Sequence, residues 1–238
     1  MTQSIRQFRQ GLADGVPIGL GYLAVSFTFG IMAAGMGLNT PEAVLMSFTN
    51  LTSAGQFAAL SLIQAGAPLM EMAATQLVIN LRYCLMSCAL SQRLAPDTPF
   101  LHRLLVSYGV TDEIFGVSVC RQGGLSPFYN YGLMAAAVPG WTLGTLLGAL
   151  SGSLLPARLL SALNVALYGM FLAVVIPPSR GNAVLAGVVL TSMALSALFA
   201  WLPVLNQLSS GFTIILLTIL IAGGAAWLFP VKEDAPPS

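Results

Sequence analysis

Apolar positions in this chain gather into unbroken runs of about twenty residues, at 16–37, 43–65, 69–90, 131–150, 157–176, 183–202 and 212–229. Each is long enough to cross a bilayer as a helix, which takes roughly 17 to 25 residues. None shows the alternation of an outer-membrane barrel strand. A helix satisfies its own backbone donors and acceptors in lipid, so every run is predicted helical. The stretch 101–120 has similar length but carries Ser107, Tyr108, Thr111, Asp112 and Glu113. It reads as a lined span, a broken helix or a re-entrant segment. The expected fold is all-α: a polytopic membrane protein with about seven to eight membrane segments, some broken or re-entrant.

Punctuation fits these limits. Asn39-Thr40-Pro41-Glu42 suits a turn entering a helix, with Thr40 the candidate N-cap and Pro41 at the first helical position. Further breaks fall at Pro96 to Pro99, Gly123-Gly124, Pro177-Pro178 and Pro203. Val16-Pro17-Ile18-Gly19 is echoed by Val138-Pro139-Gly140, each followed by a helix, a turn at Pro41 or Pro156 and another apolar helix. Chance likeness between apolar helices explains the echo equally well as an internal repeat does. A repeat would be ordinary for a secondary transporter, whose substrate site lies between its halves.

With 56% hydrophobic and 7% charged residues, the composition leaves no room for a soluble module. Residues 1–238 are expected to form one transmembrane domain, with 1–14 a cytoplasmic N-terminus and 231–238 a disordered tail. The run 16–37 exceeds the apolar stretch of a cleaved signal and reads as the first membrane helix. A net charge of +1 gives no broad field, so nucleic acid is not an expected partner. Cys84, Cys88 and Cys120 make neither a disulfide framework nor a metal site, and no cofactor or enzymatic activity is expected. No glycine-rich phosphate loop is present, which argues against ATP-driven transport by this chain alone.

The basic residues serve as topology markers. If every segment crossed from a cytoplasmic N-terminus, Arg93, Arg103 and Arg158 would lie outside, a poor fit to the positive-inside rule. If the segments around Gln56 and Asp112 enter and leave on one side, Arg93 and Arg103 move inside. At least one polar segment is therefore expected not to be a simple span.

Three polar islands interrupt the apolar runs. The first, Thr49 to Gln56, includes Asn50, Ser53 and Gly55 and is a good place for a helix to unwind. Backbone amides freed there at a half-helix N-terminus suit a carboxylate; a polar packing seam is the other reading. The second, Asn80-Leu81-Arg82-Tyr83, places a guanidinium that cannot lose its proton near the middle of 69–90. Such a placement costs roughly 2.5 to 3.5 kcal/mol on insertion scales, so Arg82 needs an anion. The third, Thr111-Asp112-Glu113, supplies acids that cannot both be ionised cheaply in a low dielectric unless Arg82 is near. One acid would pair with Arg82 while the other exchanges a proton. His102, beside Arg103 near a segment end, reads as interfacial. An intramembrane cation, two acids and an unwound helix together suit a small zwitterion with an apolar side chain.

The same islands resemble the AzlC/YgaZ family, the larger subunit of two-component bacterial exporters for branched-chain amino acids. The matching pieces are Gly15-Val16-Pro17-Ile18-Gly19 with Gly21-Tyr22 and Phe29-Gly30, then Ser53-Ala54-Gly55-Gln56-Phe57, Asn80-Leu81-Arg82-Tyr83 and Thr111-Asp112-Glu113-Ile114-Phe115. The chain departs from the family in having Arg82-Tyr83 where Arg-His is common, and in the stretch from Asn50 to Ala54. The resemblance implies a multi-pass protein of the bacterial cytoplasmic membrane. It also implies a small AzlD-type membrane partner and proton-driven export of valine-like amino acids. On this reading Asn50, Ser53, Gly55, Gln56, Asn80, Arg82, Thr111 and Asp112 bind substrate, while Asp112 and Glu113 couple protons. The rival is a structural or regulatory membrane subunit whose charges lock helices or dock a partner; a channel finds little support in so few ring-forming charges.

Overall fold

The computed structural model describes residues 2–121, 123–151, 176, 179–202, 205 and 208–230. Its helices are α1 (Thr2–Gly35), α2 (Thr40–Thr49), α3 (Ser53–Gln64), α4 (Leu69–Arg93), α5 (Phe100–Tyr108), α6 (Asp112–Val119), α7 (Pro127–Ser151), α8 (Ala183–Trp201) and α9 (Ser210–Leu228). The all-α expectation holds: the described residues contain no strand, only an isolated bridge between Leu94 and Leu125. Five helices, α1, α4, α7, α8 and α9, are long and apolar enough to cross a membrane. Fewer described segments are single spanning helices than the seven to eight membrane segments expected. The runs 43–65 and 101–120 each split into two short helices. The run 157–176, Pro156 and the 231–238 tail lie outside the described residues, Ile176 apart. The N-cap of α2 is Asn39 rather than Thr40: the Asn39 amide donates to Glu42 Oε2 at 2.8 Å, a bond available only to the residue preceding the first turn.

The chain divides into two compact units, Met1–Leu60 with Asn80–Leu167 and Ser61–Ile79 with Tyr168–Ser238. The core of the first is the pairing of α1 with α7. Gly132, Ala136, Gly140, Gly144 and Gly148 recur every four residues and so line one stripe of α7. A methyl group added at Gly132 would meet Phe8 O, at Gly140 Gly19 O and at Gly148 Phe27 O. From α1, Gly11 faces Tyr129 O and Gly30 faces Thr145 O. The contacts advance together along both sequences, so the helices are parallel and backbone lies against backbone for most of their length. The Val16–Gly19 and Val138–Gly140 motifs meet in this seam at Gly19 and Gly140.

One end of this unit is basic. Arg93, at the end of α4, donates to Arg121 O and to Gly123 O, the latter at 3.0 Å. Arg121 donates to Gln10 of α1 at 3.1 Å and stacks 3.9 Å over Tyr129 of α7. Arg103, in the first turn of α5, donates to Ser91 Oγ at 2.8 Å and Ala95 O at 2.8 Å. His102 contacts Tyr131 through Nδ1 at 2.7 Å, at the same end. The α5–α6 segment thus begins and ends beside the last turn of α4. Its two helices, of 9 and 8 residues, reach about 13 Å and 12 Å in, roughly half a hydrocarbon core. It is a helical hairpin.

From Arg82 to Arg93, α4 runs toward the basic end, antiparallel to α1. Toward the other end of this unit α1 stops and α2 begins, and α2 and α3 form a second pair of short helices separated by a break at 50–52. The two hairpins meet where each is broken: Tyr108 of α5 donates to Phe48 O of α2, and Leu51 and Val110, from the two breaks, share one buried cluster with Tyr22, Ile114 and Trp141. Arg6, Arg9, Arg93, Arg103 and Arg121 thus lie toward one end, and residues 36–68 hold no Lys or Arg.

The second unit has α8 and α9, each with a side-chain N-cap. Asn182 Oδ1 accepts from Leu185 N at 3.0 Å and Ser209 Oγ from Phe212 N at 3.3 Å. Neither helix carries a Lys, Arg, Asp or Glu.

Candidate functional site

The breaks arise from residues whose side chains compete with helical hydrogen bonding. In the first, Thr52 Oγ1 donates to Asn50 Oδ1 at 2.6 Å and Asn50 adopts an extended backbone, so α2 stops there. The α3 helix restarts at Ser53. The expected unwinding of this island is thus observed. In the second, Gly109 ends α5, and Thr111, also extended, caps α6 by accepting from Ile114 N at 3.3 Å. Gly109 is required by packing, since a side chain there would strike Met134.

Asp112 and Glu113 therefore occupy the first turn of α6, where the positive end of the helix dipole meets them. Asp112 Oδ2 lies 3.0 Å from Arg82 Nη2, and both side chains are 44% exposed. Arg82 Nη2 also donates to Tyr83 Oη at 3.3 Å. Glu113 accepts from the Tyr22 hydroxyl, which lies 2.6 Å from Thr111 Oγ1. Tyr22 thus ties the middle of α1 to both the cap and the second acid of α6. The structure brings Arg82, Asp112, Glu113 and Thr111 together as one cluster.

Gln56 lies in a separate hydrogen-bond network. It is fully buried, accepting from Trp141 Nε1 at 2.7 Å and donating to Ser47 Oγ at 3.0 Å. Ser47 lies 2.7 Å from Thr145 Oγ1, which donates on to Trp141 O at 3.1 Å. The chain of bonds holds α2, α3 and α7 together, the packing seam that was the other reading of this island. Trp141 and Tyr22 join the two networks by an edge contact with ring centroids 5.3 Å apart. Asn50 is engaged with Thr52, Ser53 opens α3, and Gly55 follows two residues on, its amide bonded to Thr52 O at 2.6 Å. Asn80 sits two residues before Arg82 on α4, half-buried.

Sequence reasoning left Tyr22 and Trp141 out of the site. Tyr22 was visible only as part of a family motif, and nothing along the chain couples residue 22 to residue 113. Trp141 carried one weak signal, a polar-tipped aromatic inside a glycine-rich helix, where its N–H must find an acceptor. Among the described residues no group of His, Cys, Asp and Glu is arranged to hold a metal, and the three cysteines are free thiols.

Comparison with known proteins agrees with the motifs. The profile of the AzlC protein family matches residues 17–155. An uncharacterized membrane protein of Archaeoglobus fulgidus is 33% identical over 183 residues, 76% of this chain and 80% of that protein. The inner membrane protein YgaZ of Escherichia coli is 29% identical over 150 residues, 61% of this chain and 61% of its own length. A Helicobacter pylori membrane protein is 27% identical over 156 residues, 64% of this chain and 68% of that protein. No solved structure matches the chain. The matched span runs from Pro17 through α7 and contains both helical hairpins, the Arg82–Asp112 pair and most of the glycine seam, so the chain belongs to the AzlC family and is a multi-pass inner-membrane protein.

Proposed function

We propose that this chain is the larger subunit of a secondary transporter that exports branched-chain, valine-like amino acids, driven by the proton gradient and working with a small AzlD-type membrane subunit. The observation that carries this reading is the Arg82–Asp112 pair, next to the break of α5–α6 that packs against the break of α2–α3. A zwitterion can enter such a pair without changing its charge balance: its carboxylate replaces Asp112 at Arg82, and its ammonium replaces Arg82 at Asp112. Backbone amides of the broken helices and the side chains of Thr111 and Asn80 would orient it, with Asn50, Ser53 and Gly55 at the facing break. Glu113, held by Tyr22, is the proton-coupling acid in this scheme, and Asp112 takes part when its partner changes. Each hairpin closes one half of the bilayer, so movement of one at a time gives alternating access. Among the described residues the membrane segments then comprise the five long helices and the two hairpins.

The partner is supported by α4, whose Leu77, Leu81 and Leu85 form an exposed stripe in the isolated chain. A half-exposed ion pair on the same helix calls for cover by a subunit or a water-filled cavity.

A second reading rests on the pair being already closed at 3.0 Å: it locks α4 to α6 and has no substrate role. Proteoliposome efflux of labelled valine, with and without the small subunit and a pH gradient, separates the two. Arg82→Ala and Asp112→Asn should insert and assemble yet lose efflux at least about tenfold, a barrier change of ~1.4 kcal/mol. Wild-type efflux in both variants would refute the site, and failure to assemble would favour the lock.

A further inference from the structure

Each pair of short helices is anchored to the α1–α7 core by buried bonds. The α2–α3 pair is held through Ser47 to Thr145 and through Gln56 to Trp141, each of them buried. The α5–α6 pair is held through Thr111 to Tyr22 at 2.6 Å and through Ser118 to Asn130 at 2.8 Å, each again buried. Between the two pairs the contact is of a different kind. The hydroxyl of Tyr108, the last residue of α5, donates to Phe48 O in the last turn of α2, and the two rings lie tilted with centroids 6.4 Å apart. Both side chains are exposed.

Phe48 O is a carbonyl that has lost its helical donor. The α2 helix stops at Thr49 and Asn50 is extended, so the residues that follow no longer turn an amide back to it. Tyr108 supplies the missing donor from the other break. Two exposed groups can give up such a bond to water at little cost, whereas parting the buried anchors would orphan polar groups out of reach of water. The joint between the breaks is therefore where the two pairs separate most easily. Leu51, three residues beyond Phe48, and Val110, two beyond Tyr108, share one buried cluster. Asp112 follows two residues after Val110.

We propose that the Tyr108–Phe48 contact is a latch between the two broken helix pairs, whose release uncovers Leu51, Val110 and the chain leading to the Arg82–Asp112 pair. Its place in a transport cycle rests on the function proposed above, as the contact that must part for one pair to move without the other. The release itself does not rest on that function.

Two measurements on the full-length protein carrying Cys84→Ser, Cys88→Ser and Cys120→Ser test the latch. In the first, Val110→Cys reports opening through its rate of alkylation by N-ethylmaleimide. Tyr108→Phe keeps the ring and removes the donor, and should raise that rate about fivefold, the effect of losing one hydrogen bond of ordinary net strength. An unchanged rate overturns the latch. In the second, Phe48→Cys and Tyr108→Cys are joined by a short thiol-specific linker that reductant cleaves, and valine efflux from proteoliposomes is followed. A contact that only stabilises the fold is indifferent to being fixed in place; a latch is not. Efflux should fall at least about tenfold in the joined protein and return to within about twofold of the unjoined level on reduction. Efflux undiminished by joining overturns the role in transport. Faster alkylation in Tyr108→Phe, in a protein whose unjoined parent moves no valine, would sink the transport reading and leave the latch standing.

Discussion

The two helix breaks meet at one depth and are built by similar means, yet they differ in what they enclose. The break at Asn50–Thr52 leads into Gln56, a neutral amide fully buried and bonded on both sides to Trp141 and Ser47. The break at Gly109–Thr111 leads into Asp112 and Glu113, two acids in a first helical turn with Arg82 and Tyr22 as partners. Neutral groups sealed away from water fix one arrangement, because an orphaned buried donor costs about 1 to 3 kcal/mol. Charged groups left half exposed can exchange partners. The first break is neutral and sealed, the second charged and half exposed; on the transport reading proposed above, a ligand acts at the second while the first holds the packing.

That division is most severely tested by removing the scaffold. Trp141→Ala should lower stability by roughly 3 to 5 kcal/mol and reduce the folded yield in detergent, read by thermal unfolding. If it unfolds no earlier than wild type, the first break is not holding the bundle. Gly140→Val comes next, since it drives side-chain atoms into the Gly19 backbone; overpacking of about 1 to 3 kcal/mol should appear as an earlier melting transition. A charge exchange sharpens the other half of the comparison. Arg82→Asp combined with Asp112→Arg should restore assembly lost in either single exchange but leave valine efflux at least about tenfold down, because the zwitterion would meet reversed charges. Full recovery of efflux would mean that the pair only locks helices. The smallest effect should come from Tyr22→Phe, which removes one hydroxyl. Melting should change by about 1 kcal/mol, whereas efflux should fall as Glu113 loses its donor; unchanged efflux would detach the Tyr22–Glu113 bond from transport.

Much of the fold was legible because membrane helices obey a length and polarity rule that operates within single segments. The runs at 69–90, 183–202 and 212–229 correspond to α4, α8 and α9 within a few residues at either end. The first helix was harder, since α1 begins at Thr2 and carries Arg6, Arg9 and Asp14 on a helix longer than a bilayer is thick. Hydropathy sees only the apolar part of such a helix. The glycine ladder of α7 was present in the sequence at strict four-residue spacing, but its meaning depends on a partner stripe 120 residues away on α1. Arg82, Asp112 and Glu113 stood out because charge is expensive in lipid wherever it falls. Gln56 stood out for the same reason and proved to be sealed in a packing network.

The sequence by itself determined that this is a helical, multi-pass membrane protein of the AzlC family, and which few residues were too costly to be there without a partner. Transfer of each group from water to lipid is a local cost, so it can be read one residue at a time. Only the tertiary structure decided which partner each one received: Asp112 for Arg82, Tyr22 for Glu113, Trp141 for Gln56. It also decided that both ends of the α5–α6 pair lie beside the last turn of α4, at Arg93 and Ser91. Pairings across ninety residues depend on how parallel helices approach, and that approach is set by the summed packing of a whole seam rather than by any one position.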